Sequence, residues 1–493
     1  MTIHLSIVLF LPLATGISGA FMPRGTGRWA VLAGTVAVLA YVVVMLIDFD
    51  SGGGLQWVTN DEWISELGIH YSLGVDGLNL FLIALTAIAW AACTLVAAFS
   101  RVERPRLYFF HLALAETAVL GAFMAQDLAL FIVFFDLMLV PFYFLIGGWG
   151  SGERVRATTK FVIYTLSGSL LMMAAAIALG VLATPDGGQI SFQLAELEQR
   201  PLPAGSQHWI VLLFALAFFV KAPLFPLHGW VPETYRSTSI PVLALLSGVL
   251  SKVGVYGFLR IVVPVMPEGS QHWQELFIIV AVFSILYGSV LAFSQDNVRL
   301  VVAYSSIAQL GFIVLGIFAF EPKGADGALF QMLNHGLVTV PLFLIIGVIA
   351  ARARGSESLS ELGGMAFRAP VLAALFLIIS LATLAMPGSG NFVGEILILF
   401  GTFQDNLVYG LVAAVGVVLA AVYMIRLFQG TMHGRVGPNV ESRDIDRVNL
   451  AAVAPLVAVI VALGVYPHFV LDRTSADSGA KVARVSPEVS VIK

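Results

Sequence analysis

Apolar stretches follow one another along this chain, each long enough to cross a bilayer and each closed by a short polar turn. The predicted spans cover about 3–21, 28–48, 77–99, 107–125, 127–149, 156–183, 208–229, 240–263, 272–294, 297–320, 325–350, 370–404, 406–428 and 448–468. The pattern therefore predicts an all-α, polytopic membrane protein of about fourteen transmembrane helices. Two polar stretches interrupt it on one side. The segment from Asp50 to Asp76, with Gly52, Gly53 and Gly54 in it, reads as an ordered loop cap on the outer face. The stretch from Ala183 to Gln207 carries Phe192–Glu198, which reads as a short interfacial helix. Beyond Leu471 the chain is rich in Ser, Ala and charge, and is expected to be poorly ordered.

Composition agrees with the pattern. Of 493 residues 59% are hydrophobic and 11% charged, against about 25% charged in a soluble domain. A net charge of −4 is too small to point to nucleic acid. Cys93 is the only cysteine, which excludes disulfides, thiolate zinc sites and iron–sulfur ligation. Leu5–Ala20 resembles a signal peptide in ending on small residues, but the first arginines, Arg24 and Arg28, follow it, whereas a signal peptide carries its charge first. It reads as a retained first helix.

Lys and Arg fall unevenly in alternate loops. One set holds Arg24, Arg28, Arg101, Arg104, Arg106, Arg154, Arg156, Lys160, Arg236, Arg299, Arg352, Arg354, Arg368, Arg435, Arg443 and Arg447. The other, leaving out the tail, holds Arg200, Arg260 and Lys323. The richer side is expected to be cytoplasmic, which places both termini outside and fits an even helix count.

Ionisable residues inside spans need a reason, because each costs roughly 2.5–3.5 kcal/mol at mid-helix. Glu116, Asp136, Lys221, Lys252 and Glu395 are the candidates. Lys221, two turns from a cytoplasmic end, has the ordinary alternative of snorkelling, and Lys252 lies too deep for it. Glu116 and Asp136 have the alternative of a packing hydrogen-bond pair. His111, His228 and His335 signal less, because a lone histidine on an apolar face is often a satisfied core group. Two of the charges coincide with helix breakers. Lys221 precedes Pro223 and Pro226, and Glu395 follows Met386-Pro387-Gly388-Ser389-Gly390-Asn391. The breaks fall in spans 7 and 12, each the fourth helix of a five-helix block. An odd number of helices inverts the second block against the first, and paired breaks in inverted halves mark a transport site. The expected organisation is 1–106, three N-terminal helices with the outer loop; 107–265, a first repeat; 266–430, a second, inverted repeat; and 431–493, a last helix and tail.

Several motifs carry a resemblance. Phe134-Phe135-Asp136-Leu137-Met138-Leu139-Val140-Pro141 runs on to Trp149-Gly150; Lys221-Ala222-Pro223-Leu224-Phe225-Pro226-Leu227-His228-Gly229-Trp230, Ala303-Tyr304-Ser305-Ser306 and Gly390-Asn391-Phe392-Val393-Gly394-Glu395 accompany it. Over spans 3 to 14 the chain resembles the antiporter-like membrane subunits of respiratory complex I, NADH–quinone oxidoreductase, and among them the M, or chain 4, type. The resemblance implies fourteen helices, the inverted repeat and a proton path. On it, Asp136 is the input carboxylate, Lys221 its paired lysine and Lys252 the central lysine. His228 and His335 line a hydrated axis, and Glu395 is the terminal group. In the mechanism read from the charges themselves, Glu116 assists Asp136. Related subunits of the L and N types, and of multisubunit cation/proton antiporters, usually place lysine where Glu395 stands. Three positions depart from the pattern: Asp136 replaces a glutamate, Gln309 a common histidine, and Arg299, on the cytoplasmic rim, a lysine.

The function this implies is proton translocation by one subunit of a complex I-like oxidoreductase, driven by redox chemistry elsewhere. Approach or departure of a carboxylate changes a buried lysine's proton affinity, so a proton moves on. No GxGxxG after a strand and no P-loop occurs, so no cofactor and no catalytic chemistry is assigned to the chain itself. Expected partners are L-type and N-type antiporter-like subunits, small membrane subunits, the lipid bilayer and protons, and no nucleic acid. The expected location is the cytoplasmic, inner membrane of a bacterium or an equivalent energy-converting membrane. The alternatives are a subunit of a multisubunit cation/proton antiporter and a non-conducting spacer.

Overall fold

A computed structural model describes residues 3–485 except Arg24, Gly187, Pro201 and Ser442; Arg24 and the chain beyond residue 485 lie outside the described residues. The elements are α1 Leu5–Phe21, α2 Gly27–Asp48, β1 Gln56–Ile64, β2 Ile69–Val75, α3 Leu80–Phe99, α4 Pro105–Met124, α5 Leu128–Leu137, α6 Leu139–Trp149, α7 Arg154–Leu182 and α8 Leu194–Leu197. They continue as α9 Ala204–Lys221, α10 Val231–Ser237, α11 Ile240–Leu245, α12 Ser251–Gly257, α13 Val263–Val265, α14 Pro267–Ser294, α15 Val298–Phe318, α16 Pro322–Arg352, α17 Pro370–Thr383, α18 Gly390–Asp405, α19 Leu407–Met432, α20 Arg447–Val465 and α21 His468–Val482.

Among the described residues, twelve helices are long and apolar enough to cross a membrane. The two remaining predicted spans correspond to α1, 17 residues long, and to the broken α17–α18 pair. Burial separates a centre from a rim. The apolar window of Ile240–Val265 is 100% buried, and those of α15 and α16 94%, while those of α2, α19 and α20 are 33% buried. The first group is hydrophobic all round because protein surrounds it; the second keeps one face for lipid.

Helix contact at the centre depends on small residues. A Cβ on Gly327 of α16 would lie 2.6 Å from Ile398 N and 2.8 Å from Gly394 O of α18. One on Gly401 would meet Gly324 Cα at 2.6 Å. Backbones this close need hydrogen in place of a side chain. Gly327→Ala is therefore expected to lower stability by roughly 1–3 kcal/mol, and Gly205→Ala, at a helical site with nothing within 4 Å of the added carbon, to leave it unchanged or higher. Thermal unfolding of the two variants in detergent makes the comparison.

The segment after α2 forms a β-hairpin, the one sheet among the described residues, with β1 antiparallel to β2. The loop cap is ordered, as expected, though by strand pairing. Asp127 joins it to the bundle by capping α5 at Leu130 N (3.0 Å) while accepting from His70 N (3.1 Å). The expected interfacial helix shortens to the single turn α8, because Phe192 and Leu194 hydrogen-bond Gly68 and Gln126 instead.

Three expectations need correction. The tail is ordered through Val482: in α21, Val470, Thr474, Ser478 and Val482 are buried at four-residue spacing, so its polar composition concealed an amphipathic helix. Ser478 donates to Asp326 of α16, and Lys481 and Arg484 pair with Glu198. Arg260 is no loop residue. It is buried and forms a two-pronged ion pair with Asp76 at 2.6 and 2.7 Å, while its Nε donates to Tyr256 at 2.8 Å. Burial alone would push the Asp76 carboxyl up; the Arg260 guanidinium more than offsets this and holds it below the usual range. Arg299 is likewise buried. Its fork binds Glu357 and donates to Tyr235 O (3.0 Å) and Thr238 O (2.6 Å), closing the carbonyl end of α10 in a way one ammonium would not reproduce.

Removing one partner strands the other charge, so Arg260→Ala is expected to cost about 3–5 kcal/mol, and the Asp76→Ala/Arg260→Ala double variant less than the sum of the singles. A double-mutant cycle on detergent melts measures this. At the opposite end of the bundle, Asp444 caps α17 by accepting from Val371 N and Leu372 N at 3.0 Å each. Burial raises its carboxyl pKa, but these backbone donors and Arg352 bring it below the ordinary value. A depressed folded-state pKa contributes stability above the unfolded value, lost as pH falls through the folded one. Asp444→Ala should thus destabilise by about 1 kcal/mol at neutral pH, and the gap to wild type should close on acidification in a melt series.

Candidate functional site

Both predicted breaks are present. After α9 the backbone leaves the helix at Ala222, because Pro223 and Pro226 supply no N–H; Phe225 N turns to Ser284 Oγ of α14 at 3.0 Å. Between α17 and α18 the chain passes through Ala385 (φ 57°) and Gly388 (φ 95°) before Ser389 caps the new helix by accepting from Phe392 N at 3.3 Å. Two further irregularities carry no strong sequence mark. Met138 separates α5 from α6, where Pro141 leaves the Leu137 carbonyl without its helical partner. Leu246–Leu250 and Phe258–Val262 are wound as π-helix on either side of α12.

Asp136, Lys221, His228 and Lys252 lie at or beside these irregular places. Asp136 is in the last turn of α5, half-buried, and accepts from Ser169 Oγ of α7. Lys221 is the last residue of α9, and its Nζ lies 4.6 Å from the centre of the Phe135 ring. No ion pair joins Asp136 to Lys221 among the described residues. The aspartate and lysine thus stand near the same helix end, each engaged by another neighbour. Glu116, on α4, is fully buried, and neither of its carboxyl oxygens hydrogen-bonds a described residue. It is not paired with Asp136, so the packing-pair alternative does not describe this arrangement.

Lys252 follows the first π segment directly. Its Nζ donates to Ser247 O at 2.9 Å and contacts Ser251 Oγ at 3.3 Å. The wider π turn leaves that carbonyl within reach of the side chain. A Cβ on Gly254 would lie 2.8 Å from Phe218 O, so α12 runs against the end of α9 that carries Lys221. On the other side, a Cβ on Gly336 of α16 would lie 2.7 Å from Gly248 O. That crossing sets His335, the neighbour of Gly336, on the stretch of α16 that packs against the helix carrying Lys252. His228 lies in the break after α9 with its ring centre 5.1 Å from Tyr287 of α14. Its Nδ1, like that of His335, has no partner among the described residues. His111 is different: its Nδ1 is 2.7 Å from Leu107 O and its ring packs on Phe144, as in a satisfied core histidine.

Glu395, on α18, ends an amide chain that sequence reasoning missed. Gln331 Nε2 of α16 donates to Gln309 Oε1 of α15 at 2.7 Å, and Gln309 Nε2 donates to Glu395 Oε1 at 2.8 Å. Gln309, read from the sequence only as a lost titratable group, directly holds the terminal carboxylate. The available signal was a second glutamine in an apolar span. Ser247 Oγ and Ser306 Oγ, 3.2 Å apart, tie the Lys252 helix to α15 as well. No cluster of three or more His, Cys, Asp or Glu residues suited to a metal occurs among the described residues.

A multi-pass bundle that buries ionisable groups at broken and π-wound helices belongs to the class of membrane proteins that move protons or ions. Within that class, residues 125–420 match the family described as NADH:quinone oxidoreductase/Mrp antiporter, TM, and the chain belongs to it. It is 36% identical over 485 residues to NADH-quinone oxidoreductase subunit M of Rhodobacter capsulatus, covering 95% of this chain and 94% of that one. It is 37% identical to the subunit of that name from Mycobacterium tuberculosis, covering 95% and 92%. A chain in respiratory complex I from Thermus thermophilus with bound NADH superposes with a TM-score of 0.90 at 30% identity, covering 98% of this chain and 99% of that one. A chain of the Mrp complex from Dietzia sp. gives 0.85 at 22% identity, covering 99% and 98%, a likeness of fold alone.

Proposed function

We propose that the chain is a proton-translocating membrane subunit of a complex I-like NADH–quinone oxidoreductase, placed beside other antiporter-like subunits and small membrane subunits. The observation that carries this reading is the series of buried ionisable groups at interrupted helices, from Asp136 and Lys221 through Lys252 and His335 to Glu395. Its relatives' names supply the redox context. Glu395 favours this reading over a free-standing cation/proton antiporter, in which lysine usually stands at that position.

In the proposed cycle Asp136, aided by the uncompensated Glu116, alternates between Ser169 and Lys221. Pairing with the carboxylate favours the ammonium, and separation favours release of its proton. In the arrangement described above the pair is apart. The released proton moves to Lys252, past His228, then to His335 and Glu395, and leaves on the outer side. Two inverted blocks, about 107–265 and 266–430, would each contribute one break. The arginine-rich loops then face the cytoplasm and both termini face outward, across the inner membrane of a bacterium. NADH, quinone and redox centres belong to partner subunits; this chain contributes proton carriage.

Lys252→Met and Glu395→Gln are each expected to reduce proton pumping at least about 10-fold while the complex assembles with its full set of subunits. Pumping per electron pair in proteoliposomes, with subunit content checked on a native gel, tests this. Wild-type pumping in both variants would leave a spacer as the better description.

A further inference from the structure

The α16–α18 seam holds a concentration of unpartnered polar atoms around His335 and Glu395, among them the Asn391 amide, to which the mechanism above gives no role. Gln331 and His335 lie one turn apart on α16, and Asn391 and Glu395 one turn apart on α18. Gln331 Oε1, His335 Nδ1, both amide atoms of Asn391 and Glu395 Oε2 are all buried with no hydrogen-bond partner among the described residues. The register across the seam follows from its glycines. A Cβ on Gly394 would lie 2.4 Å from Gln331 Oε1, and one on Gly390 would lie 2.1 Å from Asn334 Oδ1. Glu395 is thus level with Gln331, and Asn391 lies between that level and His335.

A buried amide with neither donor nor acceptor matched is unfavourable unless water meets it. A bound water needs two to four polar partners, and this seam offers them. An amide donates and accepts at once and does not titrate near neutral pH, so it can hold a water whether the groups on either side are charged or neutral. Gln309 occupies Oε1 of Glu395, which leaves Oε2 as the oxygen facing exchange.

We propose that Asn391 is the water-holding, positioning residue between His335 and Glu395, and that protons enter the terminal carboxylate at Oε2. This rests on the proton-carrying role proposed above. In the step, an N–H bond of the protonated His335 imidazole breaks and an O–H bond forms on the water held by Asn391. That water gives up another of its protons, an O–H bond forms at Glu395 Oε2, and the water ends as it began.

The test uses the assembled complex in proteoliposomes, with NADH and a soluble quinone, and compares Asn391→Leu, Asn391→Ser, Lys252→Met and Glu395→Gln. Leucine fills the same space without polar atoms; serine leaves room for water beside a hydroxyl. Asn391→Leu is expected to pump at least about 10-fold less than wild type, and Asn391→Ser to recover at least half. A structural role would not predict the second readout: the infrared carboxyl band of Glu395, identified by its loss in Glu395→Gln, should shift on hydration in wild type and Asn391→Ser but not in Asn391→Leu. Wild-type pumping in Asn391→Leu, with a band that shifts on hydration as it does in wild type, and with Lys252→Met and Glu395→Gln inactive, would overturn the assignment of Asn391 alone. Full pumping in Lys252→Met and Glu395→Gln would instead overturn the reading on which it rests.

Discussion

A backbone N–H or C=O that leaves its helix at membrane depth has no water to turn to unless protein walls enclose some. That constraint organises this molecule. The breaks after Lys221 and before Glu395, the interruption beside Asp136 and the π turns around Lys252 all need protein around them. The enclosure comes from helices whose surfaces are stripped to glycine where they cross: Gly254 against Phe218, Gly336 against Gly248, Gly327 against Gly394. Each crossing brings irregular backbone and ionisable side chains under cover together. The close contacts and the buried charges are one arrangement, because widening a crossing would expose the freed backbone groups and displace the charges beside them.

The two kinds of irregularity serve the charges differently. At Lys221 a proline-containing break ends the helix, so the side chain stands at a terminus with open polar backbone nearby; Glu395 lies in the second turn of the helix that restarts after the glycine-containing break. At Lys252 the helix continues, and only its pitch changes, which presents the Ser247 carbonyl to the ammonium. A terminus can move relative to its neighbours with little rearrangement, whereas a π turn inside a fully buried helix is held on all sides. The lysine proposed to change partners thus lies at a helix end, and the one proposed to pass protons along lies inside a fully buried span.

How much of this was legible in the sequence follows from the same physics. The spans, the two strong breaks and the five mid-membrane charges are visible because each violates or satisfies a local rule: apolar length, proline, glycine, charge in lipid. The π turns were not legible, since their wider winding arises from packing against α16 and α9 and leaves no fixed residue pattern. The β-hairpin was read as loop because its strand β1, Gln56–Ile64, is largely exposed and gives little alternation of buried and exposed residues. The tail misled by composition, because Ser478 and Thr474 count as polar yet are buried in the seam with α16. Gln309 misled in another way. Judged against a histidine it is a loss, and only its contact shows that it grips Glu395.

The contrast between the two directions open to a proton at Lys252 sharpens the reading. Along its own helix toward the hairpin, Tyr256 and Arg260 follow at four-residue spacing, and every polar group there is already engaged. Tyr256 donates to Phe123 O at 3.0 Å and accepts from Arg260, whose fork is held by Asp76; Asp76 also accepts from Leu78 N at 3.0 Å. A guanidinium keeps its protons at any pH a protein meets, so this chain of contacts has nothing to lend to a passing water. Sideways, toward α16 and α18, His335 Nδ1, both amide atoms of Asn391 and Glu395 Oε2 have no hydrogen-bond partner among the described residues. Matched polarity closes one direction and unmatched polarity leaves the other open, which supports the proposed passage from Lys252 toward His335 and Glu395. Under the proposed organisation in two blocks, with half of a path in each, lateral passage is the step that would join them.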